Sequence, residues 1–252
     1  MRVGRVHPWL DARELWPSLR RVNPAAKAPR RPSDDPLQGR TAIIIEDQKL
    51  FADFLAGCFK EWGIEVLLNT PLGAEGLAAV SKKQPDLLML DFSLPDIDGL
   101  EIARQVLTDR SKGGMRVVGI SSHCDPWTML QVQKLGLHGF VDKMDQNAES
   151  LRAALASVLS GNVFYTRAVT ESSARLRQDP RAFNRVLSDY ELKILGMIGR
   201  AMTDEEIATE LGISPATMQS RRRDIMKKLD IHTTPKLIHY AIVNGLTRPT
   251  RT

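Results

Sequence analysis

The chain of 252 residues contains few cysteines, few aromatic side chains and no long apolar run. Its two cysteines, Cys58 and Cys124, provide neither a disulfide framework nor a C-x-x-C or Cys/His zinc motif, which is typical of a reducing, cytosolic compartment. No stretch approaches the ~20 consecutive apolar residues that a bilayer span requires. The initial segment MRVGRVHPWLDARELW also lacks the apolar core of a signal peptide. We therefore expect a cytoplasmic protein that is neither secreted nor integral to a membrane.

The formal net charge of +5 is distributed unevenly along the chain. Nine basic and four acidic residues give residues 1–40 a charge of +5, whereas eleven basic and sixteen acidic residues give residues 41–165 a charge of −5. Residues 187–252, with ten basic and eight acidic residues, carry only +2. Net charge alone therefore does not identify a nucleic-acid partner, and the local arrangement of the basic side chains must decide.

Proline content and apolar periodicity divide the chain into four segments. Residues 1–40 are basic, contain six prolines and lack apolar periodicity, so we expect a mostly disordered arm. Residues 41–160 are expected to form a first domain and residues 187–252 a second. The intervening residues 161–186 are polar, basic and poorly periodic, which is typical of a linker.

Short apolar runs alternate with helical patterns in the first domain. Each run is followed by ten to fifteen residues of helical pattern, and the runs lie at 42–45, 64–68, 87–90, 117–120 and 139–141. Runs that are apolar on both faces and alternate with helices are typical of buried parallel strands in βαβ units. The pattern predicts an α/β fold with a doubly wound, five-stranded parallel sheet of flavodoxin-like type. Any functional site should lie at the carboxyl ends of the strands.

Acidic side chains follow two of these predicted strands. Glu46 and Asp47 follow the first strand and Asp91 follows the third, and these two strands are neighbours in a flavodoxin-like sheet. Three adjacent carboxylates repel one another unless a cation binds, and oxygen ligands suit Mg²⁺. Ser121 and Lys143 follow the fourth and fifth strands. A hydroxyl, an ammonium group and Mg²⁺ around a carboxylate would stabilise phosphoryl oxygens.

The motifs that carry these residues resemble the receiver domain of two-component response regulators. The matching segments are IIIEDQ (43–48), LLMLDFSLPDIDGLEI (87–102), VVGISSH (117–123) and GFVDK (139–143). The resemblance implies that Asp91 accepts a phosphoryl group from a histidine kinase as an acyl phosphate. By the same resemblance, Asp47, Asp91 and the backbone carbonyl of Ser93 bind Mg²⁺ directly, while Glu46 binds it through water or directly. Lys143 and Ser121 would contact the phosphoryl group, and Phe140 matches the aromatic position that moves with the Ser121 hydroxyl.

The second domain holds only helical patterns, and its third helix is basic. The four helices are predicted at 189–200, 204–211, 215–229 and 234–244. Thr203 with Glu206 forms a capping box, and Ser214 followed by Pro215 marks the start of the third helix. The turn GIS joins the second helix to the third, which is the spacing of a helix-turn-helix, so the pattern predicts a small all-α domain of four helices.

The segment LSDYELKILGMIGRAMTDEEIATELGISPATMQSRRRDIMKKL resembles the LuxR-type DNA-binding domain, and with the receiver it indicates the NarL/FixJ subfamily. The resemblance implies that the third helix enters the major groove. It assigns base edges to Gln219, Ser220 and Arg223, and phosphates to Thr217, Arg221, Arg222 and Lys227. The family usually has Asn-Lys-Glu where this chain has residues 204–206 (Asp-Glu-Glu), and often a histidine at position 221. The last helix is either the dimer contact seen in the family or a packing element.

These observations lead to one preferred function and three alternatives. We expect phosphorylation of Asp91 to switch dimerisation and binding to an inverted-repeat DNA operator. No small-molecule substrate is evident, and we expect no enzymatic activity beyond slow self-dephosphorylation. The alternatives are a phosphohydrolase that uses Asp91, a receiver whose output is a protein interaction, and a regulator that works without phosphorylation.

Overall fold

The structure, a computed structural model, describes residues 35–109, 114–122, 124–145 and 147–247. The expected disordered arm lies outside these residues up to position 34. Within the described residues the receiver half consists of β1 (Thr41–Ile45), α1 (Lys49–Glu61), β2 (Glu65–Thr70), α2 (Gly73–Lys83), β3 (Leu87–Asp91), α3 (Gly99–Thr108), β4 (Arg116–Ser121), α4 (Pro126–Leu135), β5 (Gly139–Asp142), α5 (Ala148–Leu159) and β6 (Phe164–Tyr165). The helical half consists of α6 (Arg167–Gln178), α7 (Phe183–Val186), α8 (Asp189–Gly199), α9 (Asp204–Leu211), α10 (Pro215–Leu229) and α11 (Thr234–Val243).

The described strands form one parallel sheet in the order β2-β1-β3-β4-β5-β6. The central strands β1, β3 and β4 are buried along nearly their whole length, as continuous apolar runs require. Helices α1 and α5 cover one face, and α2, α3 and α4 cover the other. The order places the ends of β1 and β3 side by side. None of the helices in the described segments is long and apolar enough to cross a bilayer.

The prediction of five strands is wrong by one, because the sheet of the described residues has a sixth strand, β6. The backbone amide of Phe164 donates to the carbonyl of His138 (3.1 Å), and Thr166 donates to Phe140 (3.2 Å). The strand is only two residues long. An apolar run of this length is too short to be recognised as a strand by its pattern.

The predicted linker contains two helices, α6 and α7. The buried side of α6 is formed by Val169, Ser172, Ser173 and Leu176. Two of these four buried positions are serines, so the helical spacing is present but the apolar period that would reveal it is interrupted. The segment therefore has regular structure that hydrophobic periodicity does not predict.

Residues 35–40, which we expected to belong to the arm, are folded onto the receiver. Leu37 is fully buried in the cluster that α1 and α5 form with the sheet. Arg40 lies 3.5 Å from the carboxylate of Asp86, and the same carboxylate accepts hydrogen bonds from Thr41. The folded part of the receiver therefore begins before the first strand, because a buried leucine and an ion pair attach the preceding turn.

Truncation of Leu37 should destabilise the receiver. We expect Leu37→Ala to lower the free energy of unfolding by about 2–5 kcal/mol, because the buried side chain leaves a cavity. Leu50→Ala is the matched control, since Leu50 is 87% exposed and should change stability by less than about 0.5 kcal/mol. Urea denaturation followed by circular dichroism measures both. Equal effects of the two variants would show that residues 35–40 contribute nothing to the fold.

Candidate functional site

An acidic cluster lies at the carboxyl ends of β1 and β3. Glu46 and Asp47 directly follow β1, and Asp91 is the last residue of β3. One carboxylate oxygen from each lies within 4.8 Å of the others. Glu46 and Asp91 are each only 1% exposed, whereas Asp47 is half-buried. The structure therefore brings together the three carboxylates that the sequence pattern placed at neighbouring strand ends.

Lys143 compensates part of this buried negative charge. Its Nζ atom donates to Glu46 Oε1 at 2.7 Å and to Asp91 Oδ2 at 3.0 Å, and its side chain is 5% exposed. The ammonium group also lies 5.2 Å from the centroid of the Phe51 ring, within the range of a cation–π contact. Burial raises the pKa of Glu46 above its usual value, and the nearby Asp91 adds to the increase, while the hydrogen bond from Lys143 opposes it.

The donor set of the cluster fits Mg²⁺. The second oxygen of Glu46, Oε2, is buried and accepts no hydrogen bond of normal geometry in the described structure, although the Lys143 ammonium lies 2.7 Å away. All three acidic residues offer hard oxygen ligands, which Mg²⁺ prefers. One ammonium group against three carboxylates leaves the pocket with a deficit of positive charge if all three are ionised. A divalent cation would correct this deficit.

Three further predicted residues lie around Asp91. The backbone amide of Ser93 donates to Asp91 Oδ1 at 3.1 Å, and Ser121 is fully buried at the end of the adjacent strand β4. Phe140 is fully buried, and its ring packs against Phe92 with a centroid distance of 5.7 Å. The Phe140 ring thus contacts the ring of the residue that directly follows Asp91. Metal binding by the Ser93 carbonyl and the movement of Ser121 and Phe140 stay predictions.

Backbone geometry also requires particular residues next to the pocket. A Cβ atom on Gly99 would lie 2.1 Å from the carbonyl oxygen of Asp91, so only glycine lets α3 begin this close to the end of β3. Asp96 connects the loop after β3 to α2, because its carboxylate accepts hydrogen bonds from the amides of Gly73 (2.8 Å) and Ala74 (2.9 Å). Burial would raise the pKa of Asp96, but these hydrogen bonds hold it below its usual value.

Sequence reasoning did not assign Phe51 and Asp96 a place around the site. Phe51 lies in the helical pattern that follows the first predicted strand, and such a pattern predicts packing on the sheet but not a contact with Lys143. Asp96 lies inside the motif LPDIDG, where an aspartate two residues before another suggests only a turn. A three-dimensional contact between elements far apart in the sequence was needed to identify both.

The second functional surface is the basic helix α10. Met218, Ile225 and Leu229 are buried and attach the helix to its domain, and Gly212 (φ 65°) allows the sharp turn before it. The predicted contact residues with solvent-exposed side chains are Thr217, Gln219, Ser220, Arg221, Arg223 and Lys227. This side of the helix is therefore open to a partner along the whole predicted contact surface apart from Arg222.

Arg222 is held by residues of its own domain. Its Nε and Nη2 atoms lie 2.9 and 2.8 Å from Asp204 Oδ1, and both side chains are largely buried. Its Nη1 atom is 3.5 Å from Thr234 Oγ1. Asp204, one of the acids that depart from the family pattern, therefore fixes the start of α9 to α10. A phosphate contact of Arg222 stays a prediction and would require this ion pair to be shared or broken.

Two more ion pairs position α10, and an aromatic ring of α8 lies beside another arginine of the helix. Lys228 Nζ lies 2.7 Å from Glu191 in α8, and Arg181 pairs with Asp230 just after the helix. The Arg221 guanidinium lies 6.0 Å from the ring centroid of Tyr190. The basic residues of α10 thus fall into two groups, one that fastens the helix and one that is presented to solvent.

The first turn of α4 contacts the end of α11. The Trp127 amide donates to the Asn244 carbonyl at 3.0 Å, and the Trp127 ring packs on Phe183 with a centroid distance of 6.1 Å. Asp125 caps α4 through Thr128, and its carboxylate lies against Gly245. The described residues of both halves lie in one compact unit. This contact begins only four residues after Ser121.

Two known family descriptions match the chain. Residues 42–156 match the response regulator receiver domain, and residues 185–241 match the bacterial regulatory proteins of the luxR family. The first match contains the acidic cluster and Lys143. It begins after the turn that carries Leu37. The second contains the whole of α10. The motifs and the matches thus agree on both functional surfaces.

Two named relatives are similar to this chain over most of its length. The chain is 29% identical over 203 residues to the transcriptional regulatory protein UhpA of Salmonella typhimurium, which covers 79% of this chain and 96% of UhpA. It is 28% identical over 208 residues to the response regulator UvrY of Escherichia coli K12, which covers 81% of this chain and 94% of UvrY. Nearly the whole length of each relative is therefore matched by this chain.

Solved structures of RcsB share the fold at low sequence identity. A structure of two RcsB dimers bound to two parallel DNAs has a TM-score of 0.56 and 20% identity, and it covers 81% of this chain and 98% of that chain. RcsB from Salmonella enterica serovar Typhimurium, bound to promoter P1flhDC in the presence of phosphomimetic BeF3-, has a TM-score of 0.55 and 20% identity, and it covers 82% of this chain and 98% of that chain. The parallel α/β receiver followed by a helix-turn-helix domain is thereby confirmed, and the chain belongs to the NarL/FixJ-type response regulators, the DNA-binding transcription regulators of two-component systems.

Proposed function

We propose that a histidine kinase phosphorylates Asp91, and that the phosphoryl group switches dimerisation and binding of α10 to an inverted-repeat operator in the cytoplasm. The observation that carries this proposal is the buried Asp91 carboxylate, with the Lys143 ammonium 3.0 Å away and two further acids within 4.8 Å. An Asp91 oxygen would form the bond to phosphorus while the bond from phosphorus to the imidazole nitrogen of the kinase breaks. The protein itself would only slowly hydrolyse the resulting acyl phosphate.

Glu46, Asp47, Asp91 and the Ser93 carbonyl would hold Mg²⁺ in this reaction. Bound Mg²⁺ supplies positive charge that offsets the negative charge of the carboxylates and of the phosphoryl oxygens. Lys143 would orient the phosphoryl group by ion pairing, and the Ser121 hydroxyl would donate a hydrogen bond to it. The buried pocket limits the access of water, which favours a phosphoprotein over rapid turnover.

The contact of α4 with the helical half supports a route for the switch. A change at Ser121 would reach Asp125 and Trp127 through a short connection, and these two residues contact Gly245 and Asn244. Among the described buried side-chain atoms without a hydrogen-bond partner, all except Glu46 Oε2 lie in the segment 166–184 that joins the two halves. An unpartnered buried polar atom costs about 1–3 kcal/mol, so a second arrangement of this segment would gain free energy if it gave these atoms partners.

The surface of the helical half supports DNA binding by a dimer. Arg223 and its exposed neighbours on α10 present cations and amide groups that suit phosphates and base edges. On α11 the side chains of Ile242 and Val243 are 53% and 56% exposed, which favours an apolar contact between two copies. Two copies related by a two-fold axis would place two α10 helices on an inverted repeat.

Mg²⁺ should stabilise the folded protein through the acidic cluster. At a concentration 100 times its Kd, we expect Mg²⁺ to add about 2.7 kcal/mol to the free energy of unfolding. Asp47→Asn should remove most of this gain, whereas Asp53→Asn, on the exposed face of α1, should retain it. The gain should shrink as the pH falls through the raised pKa of Glu46, because protons compete with the cation. Thermal denaturation with and without Mg²⁺ tests this, and an equal gain in all variants would contradict it.

Acetyl phosphate with Mg²⁺ should add one phosphoryl group to the protein. Intact-mass measurement should show this addition in the natural sequence and in Asp53→Asn, and no addition in Asp91→Asn, because the acceptor carboxylate is then lost. Failure of the natural sequence to gain the group would favour a regulator that works without phosphorylation. Continuous release of phosphate at an enzymatic rate, abolished by Asp91→Asn, would instead favour the phosphohydrolase.

The two neighbouring arginines Arg222 and Arg223 should have different roles. Arg223→Ala should weaken duplex binding by about 5- to 150-fold at unchanged stability, because a bidentate contact with guanine contributes about 1–3 kcal/mol. Arg222→Ala should instead lower the stability of the helical half by about 1.5–3 kcal/mol, since it leaves Asp204 without its partner. Lys193→Ala, which removes an exposed cation from α8, is the control for charge alone. Salt-sensitive duplex binding that survives Arg223→Ala would favour a protein-interaction output.

A further inference from the structure

Asp224 is an acidic residue on the outward side of the basic helix α10. At about 100° per residue, the buried residues Met218, Ile225 and Leu229 define the inner side of the helix. Asp224 follows Ser220 by four positions and precedes Lys227 by three, so it lies on the same side of the helix as these two exposed residues, one of which is predicted to read a base. Its side chain is exposed. The carboxylate therefore faces whatever binds this surface.

None of the described ion pairs includes Asp224, although cations surround it. Arg221 lies three positions before it, and Lys227 and Lys228 lie three and four positions after it, which are the spacings at which helical ion pairs form. Lys228 instead pairs with Glu191, and the guanidinium of Arg221 lies over Tyr190. A solvated acid with no partner is common on protein surfaces. On a surface that binds DNA, however, a carboxylate repels the phosphates and so weakens binding, unless a base offsets this cost by donating a hydrogen bond to it.

Among the bases, cytosine offers the donor that suits an aspartate, its N4 amino group in the major groove. We propose that Asp224 determines sequence specificity by accepting a hydrogen bond from the N4 amino group of one cytosine in each half-site, and by repelling sequences that lack it. This inference rests on the proposed function, in which α10 enters the major groove. It adds to that function a residue that selects DNA chiefly by rejecting wrong sites.

The position of the cytosine follows from the spacing of Asp224 and Arg223. Neighbouring helical residues are about 1.5 Å apart along the helix axis, whereas successive bases are about 3.4 Å apart along the DNA. The two side chains are close along the helix axis but project about 100° apart around it, so the guanine preference of Arg223 and the cytosine preference of Asp224 should lie at different base pairs of the same half-site. A binding site with these two preferences far apart would contradict the proposal.

Selection from a duplex library with a randomised half-site tests the inference on the full chain, treated with acetyl phosphate and Mg²⁺. The natural sequence should enrich one cytosine, and Asp224→Ala should lose this preference by about 5- to 150-fold, while its affinity for unrelated duplexes stays equal or rises. Asp224→Asn should shift the same position towards adenine, whose N6 and N7 atoms suit an amide. Glu210→Ala, which removes an exposed acid from α9, should retain the natural preference.

Arg223→Ala in the same selection separates this inference from the proposed function. If Arg223→Ala relaxes one position and both Asp224 variants keep the natural base preferences, α10 reads DNA but Asp224 does not determine specificity. If the natural sequence enriches no motif, or if Arg223→Ala changes none, the proposed role of α10 is wrong and the inference is wrong with it. Circular dichroism should show equal folding of the Asp224 variants, because the side chain makes no described contact within the domain.

Discussion

The receiver depends on the compensation of buried carboxylates by the Lys143 ammonium. Glu46 and Asp91 are almost completely removed from water, and each would carry a desolvation cost of several kcal/mol if it were ionised without a partner. Lys143 reaches both from the end of β5, so three strands must keep their order and register for the pairing to exist. The compensation is incomplete, because burial still raises the pKa of Glu46. The same fold that stabilises the pocket therefore leaves it with an affinity for further positive charge, which is the property that phosphoryl chemistry with Mg²⁺ requires.

Periodicity and motif spacing predict the buried strands, the helix caps and the acidic cluster, because each of these follows from a single local feature of the sequence. The strands β1, β3 and β4 are buried on both faces, so their apolar runs are unambiguous, and the caps of α8 to α10 are marked by their own residues. The acidic cluster also follows from the sequence, because parallel strands place their ends at one edge of the sheet. The rest depends on contacts between distant segments. Strand β6 is defined by its hydrogen bonds to β5, α6 buries serines where a pattern search expects apolar residues, and Leu37 is recognisable as core only beside α1 and α5.

The basic helix shows why charge counts alone give little information about function. Arg222 and Lys228 are used within the domain, where they satisfy Asp204 and Glu191, so they attach α10 to α9 and α8. Such pairs are insulated from salt better than exposed ones, because they are partly shielded from solvent. Arg223 and Lys227 remain exposed and available for a partner. Asp204, an acid that departs from the family pattern, thus contributes to the position of the helix, so an acidic residue near a basic surface does not by itself oppose DNA binding.

A response regulator can switch only if its two arrangements have nearly equal free energies. The contact between the halves is favoured by the packing of Trp127 on Phe183 and by the hydrogen bond from Trp127 to Asn244. Thr166, Ser172, Ser173 and Asn184, in the segment that joins the halves, each have a buried polar atom without a hydrogen-bond partner among the described residues. Under the proposed function, a phosphoryl group at Asp91 would shift the population if it favoured one arrangement of the chain near Ser121 and Asp125 by a few kcal/mol of interaction free energy. A large, fully apolar contact would hold the halves together regardless of phosphorylation, whereas Trp127 contacts the helical half through the Phe183 ring and a backbone hydrogen bond, which a switch could exchange.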